Sequence, residues 1–303
     1  MRILITGGSG LIGRALASEL SAHGYTVTVL SRDPSRARSL PTGVQIARWD
    51  ARTAQGWGHL ADGAHAIINL AGESIAAGRW TPARKRRIRD SRLNAGQAVV
   101  QAVQVAADKP NVVLQSSGAG YYGLQDEQPL DEDAPPGDDY LARVAVDWEA
   151  ATAPLDALGI RRPILRTGMV LAKHGGALVR LRLPFQLFVG GPLGGGRQWW
   201  SWIHLADEVR AIRFLIEHPT ASGPFNLTAP QPLTNAAFSR ILGQVMRRPA
   251  LMPIPGWAVR LLLGEMATVV LGGQRVLPRR LSDLGFEFRF PEARAALRDL
   301  LSK

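Results

Sequence analysis

Apolar and polar positions follow two periods along the first half of the chain. Short apolar runs bounded by glycine or polar turns occur as RILIT from Arg2, TVTVLSR from Thr26, VQIARWD from Val44, HAIINLAG from His65 and NVVLQSSG from Asn111. Stretches of helical period lie between them, from about Leu11 to His23 and over a long polar segment ending near Ala107. A third runs from about Asp139 to Leu158, where Leu141, Val144, Trp148, Ala151, Leu155 and Leu158 recur at steps of three and four. Pro154 bends that helix. Strand, helix, strand in this order predicts an α/β fold with a doubly wound parallel sheet, covered on both faces, and ligands at the carboxyl ends of its strands.

RRPILRTGMVL, from Arg161, reads as another inner strand, and beyond it the texture changes. The segment from His174 to His204 is rich in glycine and aromatics and reads as a flexible substrate-side region. Helices follow near Ala206–Glu217 and Asn235–Met246, with a short strand FNLT between them. The expected division is a nucleotide-binding domain over 1–170, with 201–230 returning to it, and a smaller C-terminal substrate-side region over 171–303. Residues 250–303 form a compact piece within the latter.

The 303 residues carry a formal charge of +11 and no cysteine, which excludes disulfides, thiolate nucleophiles and cysteine-ligated metals. Only Ile3, Leu4 and Ile5 precede the first glycines, too little for a signal-peptide core, and GWAVRLLLGEMATVVLGG is interrupted by Arg260 and Glu265. A soluble cytoplasmic chain without a membrane partner is expected, and no histidine–carboxylate cluster has metal spacing. The densest charge is in TPARKRRIRDSRLNAG. Thr81 caps a helix there, Pro82 takes its first position, and Arg84, Lys85, Arg86, Arg87, Arg89 and Arg92 follow. No aromatic interleaves these cations, which favours a solvated helix face over a nucleic-acid contact.

The chemistry starts at TGGSGLIG. Gly7, Gly10 and Gly13 follow a strand and open a helix, with Ser9, Leu11 and Ile12 between and beside them. The amides at a helix start lack intrahelical partners and attract an anion, so this turn suits a dinucleotide pyrophosphate. An NAD-selective site would place an acid about twenty residues further on. Here Ser31 and Arg32 hold that corner, and a guanidinium suits the 2′-phosphate of NADP(H). Asp33 is read as a turn residue before Pro34.

TGGSGLIG, Trp49–Asp50, NLAG at Asn69–Gly72, SSGAGYYG at Ser116–Gly123 and WIHLADEV at Trp202–Val209 occur in one order. Together they resemble the extended short-chain dehydrogenase/reductase family and its Rossmann-like fold. GRWTPARKRRIRDSR, DWE, GPFNLTAP and GFEFRFPEARAALRDLL are similar to one branch of it, carrying epimerase-family or cell-division-inhibitor-like labels and a C-terminal domain of unknown function. The resemblance covers nearly the whole chain. It implies that Asp50 meets the adenine amino group, that Leu70, Ala71 and Gly72 line the ribose side with Glu73 close by, and that Thr167 and Gly168 approach the nicotinamide. For Asp50 a simple strand-end turn acid is the other reading.

Chemistry in the wider family resembles a Ser/Thr–Tyr–Lys device, in which lysine lowers the pKa of a tyrosine that exchanges a proton with the substrate oxygen. In DDYLARVAVDWE, Val144 stands four residues after Tyr140, and anchoring on Glu149 instead pairs Leu141 with Ala145. Neither register supplies a lysine, and Arg143 is the nearest cation in sequence to replace it. The serine position falls on Gly118, with Ser116 and Ser117 just before it. Candidate proton donors are therefore Ser117, Tyr122 and Tyr140. Tyr121 and Tyr122 follow the fifth strand, while His204 ties the two regions together and Asp207 and Glu208 suit a helix start. The leading expectation is an NADP(H)-dependent oxidoreductase or epimerase-like enzyme acting on a small carbonyl or sugar-like substrate. The alternatives are a non-catalytic NADP(H) sensor and a nucleic-acid or protein binder using the basic helix.

Overall fold

The computed structural model describes residues 1–37, 40–125 and 127–302. Its central sheet has seven parallel strands. β1 (Arg2–Thr6), β2 (Thr26–Ser31), β3 (Gln45–Arg48), β4 (Ala66–Asn69) and β5 (Val112–Gly118) lie where the apolar runs place them. Across the sheet the order is β3, β2, β1, β4, β5, then the strands Pro163–Thr167 and Gly223–Leu227. The direction of winding reverses between β1 and β4, which opens a crevice at their carboxyl ends.

The main helices are α1 (Leu11–Ala22), α2 (Pro82–Val105), α3 (Tyr140–Ala150), α4 (Gly176–Gln186), α5 (Leu205–Glu217) and α6 (Asn235–Met246). Period-two alternation divides the strands between two buried layers. Ile3, Ile5, Val27, Val29 and Ile68 pack with Leu16 and Leu20 of α1 and Ile212 and Leu215 of α5. Leu4, Leu30, Ile67 and Val113 face the other way, onto Ala95, Val99, Ala102 and Val103 of α2. A third cluster joins Trp200, Trp202, Phe238 and Leu242 to Leu297 and Leu300 of the C-terminal helix Ala293–Leu301.

The helix expected from Asp139 to Leu158 is two pieces. α3 ends at Ala150, and a separate 3₁₀ segment, Ala153–Leu158, carries Pro154 near its start. A proline there removes one backbone donor and crowds the preceding turn, so it breaks the helix where a bend was expected. The segment after Leu171 is also more regular than its glycines imply. It holds α4, with Pro184 near the end, and a strand Trp202–His204 paired in parallel with Met169–Leu171. Among the described residues no helix is long and apolar enough to cross a membrane.

The first turn of α5 fastens the C-terminal segment. His204 Nδ1 accepts from the Ala206 amide at 3.0 Å, and Nε2 lies 3.3 Å from Asp299 Oδ2. Fully buried Asp207 accepts from the amides of Arg289 and Phe290, both at 2.8 Å.

Candidate functional site

The end of β1 and the start of α1 are held by close backbone contacts. Gly7 has φ +66°, and a Cβ there would fall 2.8 Å from the Leu70 carbonyl. A Cβ on Gly13 would fall 2.5 Å from Gly8 Cα, so only glycine lets helix and turn meet. Gly10 is the N-cap of α1 and supplies no side-chain acceptor, and Ser9 and Gly10 are exposed, with Leu11 and Ile12 half-buried behind them. The first amides of α1 thus remain available to an external anion, a fit to a pyrophosphate group. Beneath the turn, Thr6 Oγ1 donates to Asn69 Oδ1 at 2.7 Å, and Asn69 Nδ2 donates to Gln115 Oε1 at 2.9 Å. This buried polar chain locks the ends of β1, β4 and β5. Its sequence signal is a polar residue closing each apolar run.

At the tip of β2, buried Ser31 bonds to the backbone of Asp33, and the Asp33 carboxylate accepts from the Ser35 amide and hydroxyl. Asp33 therefore caps its own turn, as its place before Pro34 predicts. Arg32 is exposed at that corner as the outward-facing charge. Asp50 behaves similarly. Its oxygens accept from the Arg52 and Thr53 amides and the Thr53 hydroxyl, each at 2.8 Å. Desolvation opposes these bonds, yet they hold its carboxyl below the ordinary range. The turn-acid reading of Asp50 describes its present contacts.

After β4, the Leu70 amide donates to Thr6 O at 3.3 Å and the Ala71 amide to Thr6 Oγ1 at 3.2 Å. Gly72 packs on the Arg92 guanidinium, 3.2 Å from where its Cβ would stand. Glu73, expected beside the ribose, accepts from Arg84, which also donates to Ser74 O at 2.6 Å. Thr81 caps α2 by accepting from the Arg84 amide, as expected. Most of the basic helix is engaged within the molecule. Arg84 pairs with Glu73, Lys85 with Glu265 and Arg89 with Asp147, while Arg92 lies between Gly72 and the Trp148 ring. Arg86 and Arg87 face solvent.

Tyr140 sits against this helix. Its hydroxyl donates to Lys85 O at 2.8 Å, its ring meets Trp80 edge-on, and Lys85 Nζ lies 4.7 Å from the ring centre. Arg143 turns away and donates to Asp138 O. The charges opposing the burial that raises the Tyr140 pKa are Arg92 and Arg89 of α2. Spacing along α3 alone does not reveal these neighbours, because they lie on α2.

The other two candidate donors are locked into a network under the strand ends. Ser117 Oγ donates to Glu149 Oε1 at 2.6 Å, and Arg166 grips both Glu149 oxygens at 3.0 Å. Arg166 also donates to Tyr122 Oη at 3.1 Å, and Tyr122 donates to Asn226 Oδ1 at 2.7 Å. Tyr122 is fully buried, and burial pushes its pKa up to about 12. Its proton is engaged by Asn226, inside the protein. The Ser117 hydroxyl is committed in the same way.

Thr167 Oγ1 donates to Glu208 Oε1 at 2.9 Å, and Gly168 faces Ser201 O, 2.6 Å from where its Cβ would stand. The glycine requirement at 168 is thus met by strand packing. Glu208 is the residue sequence reasoning placed only as a helix-start acid. It is fully buried, Oε2 has no partner among the described residues, and burial pushes its pKa up to about 8 against the Thr167 bond. An acid whose folded pKa is raised favours folding most at low pH, and that advantage is lost as pH rises from its ordinary value toward 8. Glu208→Gln should therefore gain on the parent by roughly 3–4 kcal/mol between pH 5 and pH 8, read from denaturant unfolding at each pH. Parallel pH profiles for the two proteins would contradict the neutral buried acid.

With this geometry in place, comparisons with known proteins give a consistent picture. A model of the NAD dependent epimerase/dehydratase family matches residues 3–228, and a domain of unknown function matches residues 254–300. A chloroplastic homolog of epimerase family protein SDR39U1 from Arabidopsis thaliana is 39% identical over 99% of this chain and 87% of its own. An epimerase family protein of Mycobacterium bovis is 40% identical over 94% of this chain and 93% of its own. The crystal structure of human epimerase family protein SDR39U1, solved with NADPH, matches with a TM-score of 0.90 at 35% identity over 99% of both chains.

Proposed function

The chain belongs to the NAD dependent epimerase/dehydratase family, and from that premise we propose that it is an NADP(H)-dependent oxidoreductase or epimerase-like enzyme acting on a small carbonyl or sugar-like substrate. The observation that carries the cofactor choice is Arg32, exposed at the tip of β2 beside an acid already bound into its own turn. The NADPH-bound human relative supports the same choice. When bound, the nicotinamide supplies hydride exchange at a carbonyl or carbinol carbon. Amides of Leu11, Ile12 and Gly13 hold the pyrophosphate, and Arg32 holds the 2′-phosphate.

Tyr140 is the proton donor in this reading. Its phenol, like any tyrosine's, is protonated at neutral pH and can act as an acid during carbonyl reduction. Arg92 and Arg89 stabilise the phenolate that remains, in place of the family's lysine. Tyr140→Phe is expected to slow NADPH consumption across a carbonyl panel by roughly 10²–10⁴-fold while NADPH binding is kept. Undiminished turnover in Tyr140→Phe would remove Tyr140 from the mechanism. Valine and alanine at the lysine positions favour the second reading, a non-catalytic NADP(H)-binding module. That reading predicts NADPH binding with no turnover on any panel member.

A further inference from the structure

The C-terminal region exposes more apolar surface than a solvated protein face requires. Leu251 is 83% exposed, Leu187 72% and Trp257 69%, with Phe188, Met252 and Leu261 also above half. They form one patch. The segments 187–194 and 251–256 run side by side, joined by Met252 N to Gly190 O at 3.3 Å, Ile254 N to Pro192 O at 2.9 Å and Gly194 N to Ile254 O at 2.8 Å. The helix Gly256–Leu263 continues directly from them, burying Val259 and turning Trp257 and Leu261 outward one turn apart. Patches of this kind mark binding surfaces.

The charge around the patch selects its occupant. Residues 157–206 and 218–264, which carry these apolar side chains, contain no aspartate or glutamate, and the next residue, exposed Glu265, is paired with Lys85. Their exposed cations include Arg180, Arg247, Arg248 and Arg260, and the Arg248 guanidinium lies 4.2 Å from the centre of the Phe188 ring. Two copies meeting through this face would set arginine against arginine, which disfavours self-association. An apolar, tryptophan-bearing face with several exposed arginines, whose adjoining acid Glu265 is paired with Lys85, matches an anionic lipid interface, where leucine and tryptophan enter the headgroup boundary and arginines reach the phosphates.

We propose that this surface docks the protein peripherally onto an anionic bilayer. Docking of this kind needs no spanning segment, and it departs from the expectation of no membrane partner. It is independent of the redox reading, and its test needs no cofactor.

The test is flotation of the full chain with phosphatidylcholine vesicles, with and without phosphatidylglycerol. Binding is expected to the mixed vesicles only, weakening as salt is raised. Arg248→Gln and Arg260→Gln should each weaken it about fivefold. Trp257→Ser combined with Leu261→Ser should weaken it at least tenfold, with unchanged unfolding midpoints confirming intact folds. A blue shift of tryptophan emission on adding mixed vesicles, lost in Trp257→Ser, reports the same contact. Absence from the mixed-vesicle fraction overturns the proposal, as does equal binding to phosphatidylcholine alone. A dimer or a complex with an acidic protein that the serine substitutions dissolve, without vesicle binding, overturns it too.

Discussion

Arg166→Met is expected to destabilise the fold by about 3–5 kcal/mol, because it leaves the Glu149 carboxylate buried without its partner. The guanidinium joins four parts of the molecule. It makes two 3.0 Å bonds to Glu149 on α3, one of 3.1 Å to Tyr122 after β5 and one of 3.3 Å to the Glu132 carbonyl. It also stacks 3.4 Å from the centre of the Tyr121 ring. Side chains of Arg166 and Glu149 are only 5% and 11% exposed, so water cannot replace a lost partner. Arg166→Met combined with Glu149→Leu should recover most of the loss, since the pair removed together leaves no isolated charge. Urea unfolding of the two single variants and the double variant measures this. A near-neutral Arg166→Met would mean that the network is solvated in practice and does not hold the strand ends.

Arg32→Glu is expected to weaken NADPH binding by on the order of a hundredfold or more. Removing a charge-assisted bond of roughly 1.5–3 kcal/mol already gives ten- to a hundredfold, and the new carboxylate adds repulsion. NADH, which lacks the 2′-phosphate, should be held as well as before or slightly better, because a carboxylate there can accept from the ribose hydroxyls. Arg32 is exposed at a strand tip, so the substitution leaves the core untouched.

The sheet was legible because its signal is local. Each of the first five strands is an apolar run bounded by turn residues, and the glycine turn sits between β1 and α1 as its spacing requires. The split of α3 from Ala153–Leu158 was not, because an apolar stripe continues through Leu155 while the backbone bond at Pro154 does not. The surroundings of the candidate hydroxyls were also hidden. Tyr140 meets Lys85 across 55 residues and Ser117 meets Glu149 across 32, pairings that only the packing of α2, α3 and β5 creates. Glu208 reads in sequence as a favourable helix-start acid, and its burial depends on how α5 docks beside Thr167. Helical spacing correctly reported a missing lysine on α3, and the charges that face Tyr140 came from a neighbouring helix that looked like a solvated surface.

Calorimetric titration of the unmodified chain with NADPH and NADH, side by side, bears most directly on the central claim that Arg32 selects the phosphorylated cofactor. The arrangement at the tip of β2 predicts NADPH bound tighter by about ten- to a hundredfold. NADH bound as tightly as NADPH, or more tightly, would contradict it.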